Sequence, residues 1–122
     1  MKIYVSHSKK YDYKNELYLP LRNSELNKKN EIILPHEKSN EAFNSKQLFN
    51  EGCDLVIAEI SYPSISIGIE LGWANMKKIN IICIHKIDVK PSLSINAICS
   101  IFISYNNPEE LISRLSDTDL FV

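Results

Sequence analysis

The sequence predicts an α/β fold: a single domain over residues 1–122, built on a five-stranded parallel sheet with helices on both faces. Three observations predict it. Short apolar segments alternate along the chain with helix-period segments, as the crossovers between parallel strands require. One of these segments, "CDLVIAEI" at 53 to 60, is apolar almost without interruption, the pattern of a central strand covered on both faces. The chain has 122 residues, 44% of them hydrophobic and 24% charged, which suits one core.

The elements follow in order. Strand one is "KIYVS", residues 2 to 6. A helical segment starts near Tyr11 and runs through "NELYLPLRNSEL", where Pro20 should kink or end it by removing a donor and crowding the previous turn. Strand two is "EIILP", residues 31 to 35. A short helix near "NSKQLFNEG" stops at Gly52, a typical helix-ending glycine. After strand three a helix runs from about Ser66 to Lys78, followed by strand four, "INIICIH" at 79 to 85, and strand five, "SIFISY" at 100 to 105. The last helix has a clear start: Asn107 caps it, Pro108 takes the first helical position, and Glu109 and Glu110 meet the positive end of its dipole. Together these imply a flavodoxin-like, doubly wound sheet.

In such sheets ligands bind beyond the carboxyl ends of the strands. That rule selects Ser6, His7 and Ser8 after strand one, His36 and Glu37 after strand two, Glu59 and Ser61 at strand three, and His85 at strand four.

The bulk properties narrow the function. A formal net charge of −1 without any charge block argues against a nucleic-acid binder. No apolar run approaches the roughly 20 residues that span a bilayer, and no apolar stretch follows Lys2 as in a signal peptide, so a cytoplasmic protein with no membrane partner is expected. Cys53, Cys83 and Cys99 are odd in number, include no C-x-x-C pair, and read as free thiols of a reducing compartment. His7, His36 and His85 fall at strand ends but lack compact ligand spacing, so no metal site and no cofactor are expected. His7 or His36 is the more interesting as a proton donor, since imidazole titrates near neutral pH.

The most informative stretch is "PSISIGIELGWAN", residues 63 to 75, which holds two of the three glycines around a single acid, Glu70. Pro63 and Ser64 end the strand. Gly68 lets a ligand approach the new helix, and Gly72 lets that helix pack near the sheet. Free N–H groups there, with the Ser64 and Ser66 hydroxyls, suit an anion or a sugar hydroxyl. Glu70 falls in the first or second turn, where the dipole favours its charged form. An ionised carboxylate over a strand-end cleft is what a glycosyl-transferring nucleophile needs. The ordinary alternative is a dipole partner on a helix whose Ile67, Leu71 and Ala74 face the core.

The segment "CDLVIAEISYPSISIGIELGWA" resembles the nucleoside 2-deoxyribosyltransferase family, and more closely its branch of 2′-deoxynucleoside 5′-monophosphate N-glycosidases. Those proteins carry an A-E-V-like strand end followed by P-S-x-G-x-G-x-E-L-G. The resemblance implies that Glu70 is the nucleophile and that Ser64 contacts a 5′-phosphate. The opening "KIYVSHS" resembles the family's first strand and substrate loop, which implies Tyr4 and Ser8 as substrate contacts beside His7. "SLSINAI" resembles the segment that lends a phosphate-binding serine across a dimer interface, here Ser94. A nucleoside or nucleotide substrate and a homodimer or larger homo-oligomer are therefore implied.

Two departures stand out. The motif's first glycine is Ser66 here. The family's second acid, which protonates the leaving base, has no counterpart at Asn44 to Lys46, and Glu41 and Glu51 only flank that region. Two other functions follow from other features. "YVSHSKKYDY" also resembles the start of TIR-type domains, some of which cleave NAD with one glutamate. A non-catalytic nucleotide-binding module would also lack the second acid.

Overall fold

The computed structural model describes residues 1–121. Five strands form one sheet in the order β2-β1-β3-β4-β5, and every neighbouring pair is parallel. They are β1 (Lys2–Ser6), β2 (Glu31–Ile33), β3 (Leu55–Glu59), β4 (Asn80–Lys86) and β5 (Ile101–Tyr105). The central strand is the expected one: all five residues of β3 are buried. The chain order reverses between β1 and β3, and this opens a crevice at the carboxyl ends of those two strands.

Side chains alternate across the sheet. On one face Ile3, Val5, Leu55, Ile57, Ile82 and Ile84 pack with Leu17, Leu21, Leu111 and Leu115. These come from α1 (Leu19–Arg22), the turn before it, and α5 (Pro108–Ser116), with Leu26 of α2 (Glu25–Lys29) at the margin. On the other face Tyr4, Val56, Ala58, Ile81 and Cys83 pack with Phe49 of α3 (Ser45–Glu51) and with Ile67, Leu71 and Ala74 of α4 (Ile65–Met76). Each fully buried aliphatic side chain contributes roughly 1.5–3 kcal/mol from removal of its surface from water.

Local differences from expectation have local causes. Pro20 neither ends nor kinks its helix outright. A single π-helical turn, Lys14–Tyr18, precedes it, and the Leu19 N–H reaches back to the Lys14 carbonyl. That widened turn falls where the proline removes a normal hydrogen bond. The helix breaks only at Asn23 and resumes as α2 after Ser24. β2 is shorter than expected, because Leu34 and Pro35 leave the ladder. Gly52 does close α3, with a φ of 132° that other residues avoid. Asn107 caps α5 by accepting from the Glu110 N–H at 2.8 Å. Among the described residues, no helix is long and apolar enough to cross a membrane.

Candidate active site

Tyr4 and Ser6 sit two residues apart on β1 and project to the face covered by α4. Both meet Glu70. The Tyr4 hydroxyl donates to Glu70 Oε2 at 2.6 Å, and the Ser6 hydroxyl donates to Oε1 at 2.7 Å. Each carboxylate oxygen therefore has its own donor, and the group is held in one orientation. Burial, and then the Glu70 charge, keep the Tyr4 phenol far above its ordinary value, so it remains a hydrogen donor. Glu70 is the sixth residue of α4, and no acid lies in that helix's first turn. The dipole acts mainly within one turn, so the two hydroxyls fix this carboxylate more than the helix end does.

Glu70 opens into a cleft of about 220 Å³ that it shares with Tyr4, His7, Lys9, His36, Phe43 and Ser66. Phe43 stacks on the Tyr4 ring at 5.5 Å and 28° between planes, forming an aromatic wall. The side of the cleft nearest β2 is held by a chain of hydrogen bonds. The His36 backbone N–H donates to Tyr18 Oη at 3.0 Å, and Tyr18 Oη lies 2.6 Å from His7 Nε2. His7 Nδ1 faces the Ser8 carbonyl at 2.9 Å, which only accepts, so Nδ1 carries the proton and Nε2 accepts from Tyr18. Burial lowers the His7 pKa to about 4, favouring this neutral form. His7 thus lines the cleft with both ring nitrogens engaged and has no proton to give a substrate.

The remaining candidates divide between two places. Ser66 lies in the Glu70 cleft, 3.0 Å from the Ser64 hydroxyl. Ser64, Gly68 and Ser94 instead line a neighbouring, mainly apolar cavity of about 600 Å³, walled by Ile60, Pro63, Ile67, Leu71, Ile95 and Ile98. Ser94 belongs to a 3₁₀ turn, Leu93–Ala97, and is exposed. Ser8 is buried, and its hydroxyl accepts from the Lys10 N–H at 3.1 Å, which shapes the loop. Gly72 does not do what was expected of it. A Cβ there would meet no atom within 4 Å, so its lack of a side chain is not what lets α4 pack on the sheet. The helix docks through Ile67, Leu71 and Ala74 instead. A Cβ at Gly68 would likewise meet nothing within 4 Å, because that glycine borders the open cavity.

The sequence selects Ser6 only as a strand end, not as a partner of Glu70, and does not point to Lys9 or Phe43. Ser6 was legible in principle, sharing the face of β1 on which Tyr4 lies. Phe43 and Lys9 carried no signal, since both come from irregular loops. The segment expected to hold a second acid places Asn44 as the cap of α3, accepting from the Gln47 N–H at 3.0 Å, and buries Ser45. Tyr11 stacks on Tyr62 at 4.8 Å, and Tyr13 packs on His7 at 4.5 Å.

No protein-family model and no curated protein matches the sequence. Among solved structures the chain is similar to the Clostridium botulinum CMP N-glycosidase BcmB, with a TM-score of 0.71 and 21% identity over 100% of each chain. The two share the α/β fold along their whole length.

Proposed function

We propose that this protein cleaves or transfers the N-glycosidic bond of a nucleoside or nucleotide with Glu70 as the nucleophile, as a member of the nucleoside 2-deoxyribosyltransferase-like proteins. The observation that carries the proposal is the Glu70 carboxylate at the strand-order reversal, with one hydroxyl on each oxygen. A carboxylate that attacks an anomeric carbon must present one oxygen in a set direction, and Tyr4 and Ser6 set it. In the step itself a Glu70 oxygen bonds to the anomeric carbon while the carbon–nitrogen bond breaks, leaving a glycosyl ester. Water then gives hydrolysis, or a second base gives transfer.

The neighbour's name refers to CMP, a nucleoside 5′-monophosphate, and such a substrate suits this site. The start of α4 offers donors for its phosphate: Ser64 caps without a side-chain bond into the helix, and Ser66 bridges to the cleft. Phe43 and Tyr4 flank the space for sugar and base. The test is a panel of deoxynucleosides, nucleoside 5′-monophosphates including CMP, and NAD, with released base resolved by chromatography. Base release from the monophosphates supports the proposal. Release of nicotinamide alone points to the NAD-cleaving alternative, and no release at all points to a binding module.

The protein works in the cytoplasm in this reading, where its three free cysteines stay reduced. It is also a homodimer or larger assembly. The outer face of α4 carries Ile65, Ile69, Trp73 and Met76 at helical spacing, and Ile65 and Met76 are 85% and 82% exposed. That stripe lies on the helix that walls the 600 Å³ cavity, with Leu93 exposed on the neighbouring turn. A second copy is the occupant that covers it and brings its Ser94 near a phosphate. Sedimentation should show a dimer at micromolar concentration, and Ile65→Lys with Met76→Lys should yield monomers. A wild-type monomer would overturn the assembly.

A further inference from the structure

The proposed reaction leaves one task unassigned. A departing base needs a proton, and besides Glu70 no carboxyl group lines the cleft among the described residues. Four of the groups that do line it are unsuited. The Tyr4 proton is committed to Glu70. The only ring N–H of His7 goes to the Ser8 carbonyl. Lys9 Nζ donates to the Asn40 carbonyl at 2.6 Å, and an ammonium is a weak acid at neutral pH. The Ser66 hydroxyl is weaker still.

His36 differs from all of them. Its main chain is anchored through the N–H bond to Tyr18 Oη at 3.0 Å. Its ring stands at 89° to the His7 ring with centroids 5.6 Å apart, and it borders the same cleft as Glu70. Its Nδ1 is shut off from solvent and has no hydrogen-bond partner among the described residues. A buried polar atom without a partner is uncommon, and the ring that carries it belongs to a residue lining the same cleft as the nucleophile.

Resting on the glycosidase reading, we propose that His36 is the general acid that protonates the leaving base, in place of a second carboxylic acid. The balance is simple. As the Glu70 oxygen bonds to the anomeric carbon, the glycosidic pair of electrons departs with the base, and the imidazolium proton passes to a base nitrogen or oxygen. The neutral imidazole then takes a proton from the water that cleaves the glycosyl ester, and the cycle closes. The charged and titratable groups facing His36 are Lys9, His7, Tyr13, Tyr18 and Glu70. Burial first, and then the Lys9 charge, lower its pKa from 6.5, while the Ser39 backbone and then Glu70 oppose them. The acid is therefore strong but sparsely populated at neutral pH. For substrates that need protonation, kcat/KM should fall as pH rises above the His36 pKa.

The test compares two substrates. An ordinary purine or pyrimidine 5′-monophosphate has a base that must be protonated, whereas 7-methylguanosine 5′-monophosphate loses its base from an already cationic ring. His36→Gln should lower kcat/KM on the ordinary substrate by about 10²–10⁴-fold. It should leave the methylated one nearly unchanged, and that retained activity also shows that the variant is folded. The wild type needs no variant: its pH limb should appear with the ordinary substrate and vanish with the methylated one. Equal slowing of both substrates by His36→Gln, or the same limb with both in the wild type, overturns the role of His36. Release of no base by the wild type from any substrate overturns the glycosidase reading itself, and this inference with it.

Discussion

Glu70→Gln should abolish base release, slowing turnover by several orders of magnitude, while the protein stays folded. The amide keeps the shape of the carboxylate but offers no anionic oxygen to the anomeric carbon, and loss of a nucleophile removes the covalent route entirely. The cost to stability is small by comparison. Tyr4 and Ser6 each donate to one oxygen of Glu70. In the glutamine variant one of them faces an amide nitrogen, a loss of about 1 kcal/mol. Rates with a substrate of the panel, set beside urea denaturation, separate the two readings of this residue. If base release is found and survives the substitution, Glu70 is a structural acid and the mechanism is wrong.

Tyr105→Phe should show the opposite pattern, with lowered stability and unchanged chemistry. Glu59 is fully buried at the end of β3 and projects to the face opposite Glu70. Its carboxylate accepts from the Ser61 N–H at 2.5 Å, from the Ser61 hydroxyl at 3.0 Å and from the Tyr105 hydroxyl. Ser61 Oγ in turn accepts from the Lys86 N–H at 2.8 Å, so β3, β4 and β5 are tied together at one end. Burial, and then Glu59, hold the Tyr105 phenol well above its ordinary value, so it donates throughout the usable pH range. Removing that hydroxyl leaves a buried carboxylate short of a donor, at a cost of about 1–3 kcal/mol. For a chain of this size that lowers the melting temperature by roughly 4 °C per kcal/mol. Normal kcat in the folded variant is expected. A large fall in kcat with unaltered stability would instead make Glu59 part of the reaction.

The contrast between these two carboxylates shows where sequence reading stopped. Both lie near strand three, but the strand-end rule selects only Glu59. Alternation along β3 assigns Glu59 to one face, but only the packed structure reveals Tyr105 as its partner, 46 positions away. The resemblance of the 63 to 75 stretch singled out Glu70, and Tyr4 came with it from the opening strand. Ser6 was seen as a strand end but not as the partner of Glu70. His36 was seen as a titratable group at a strand end. That its Nδ1 is shut in without a partner among the described residues, while His7 has both nitrogens engaged, depends on Tyr18 reaching between them.

The sequence by itself determined the parallel α/β class, the central place of "LVIAE", the caps at Asn107 and Gly52, and the position of Glu70 just inside the helix after strand three. All of these rest on short-range signals: apolar runs, residues that start or stop a helix, and the two-residue alternation of a strand. Tertiary structure alone decided the strand order, and with it which side chains share a cleft. Tyr4 and Glu70 are 66 positions apart, and Ser6 and Glu70 are 64 apart. No local pattern encodes such pairs. They meet because crossovers on both sides of β1 open the sheet between β1 and β3, and because the hydrophobic face of α4 must turn its flank toward that opening to bury Ile67, Leu71 and Ala74.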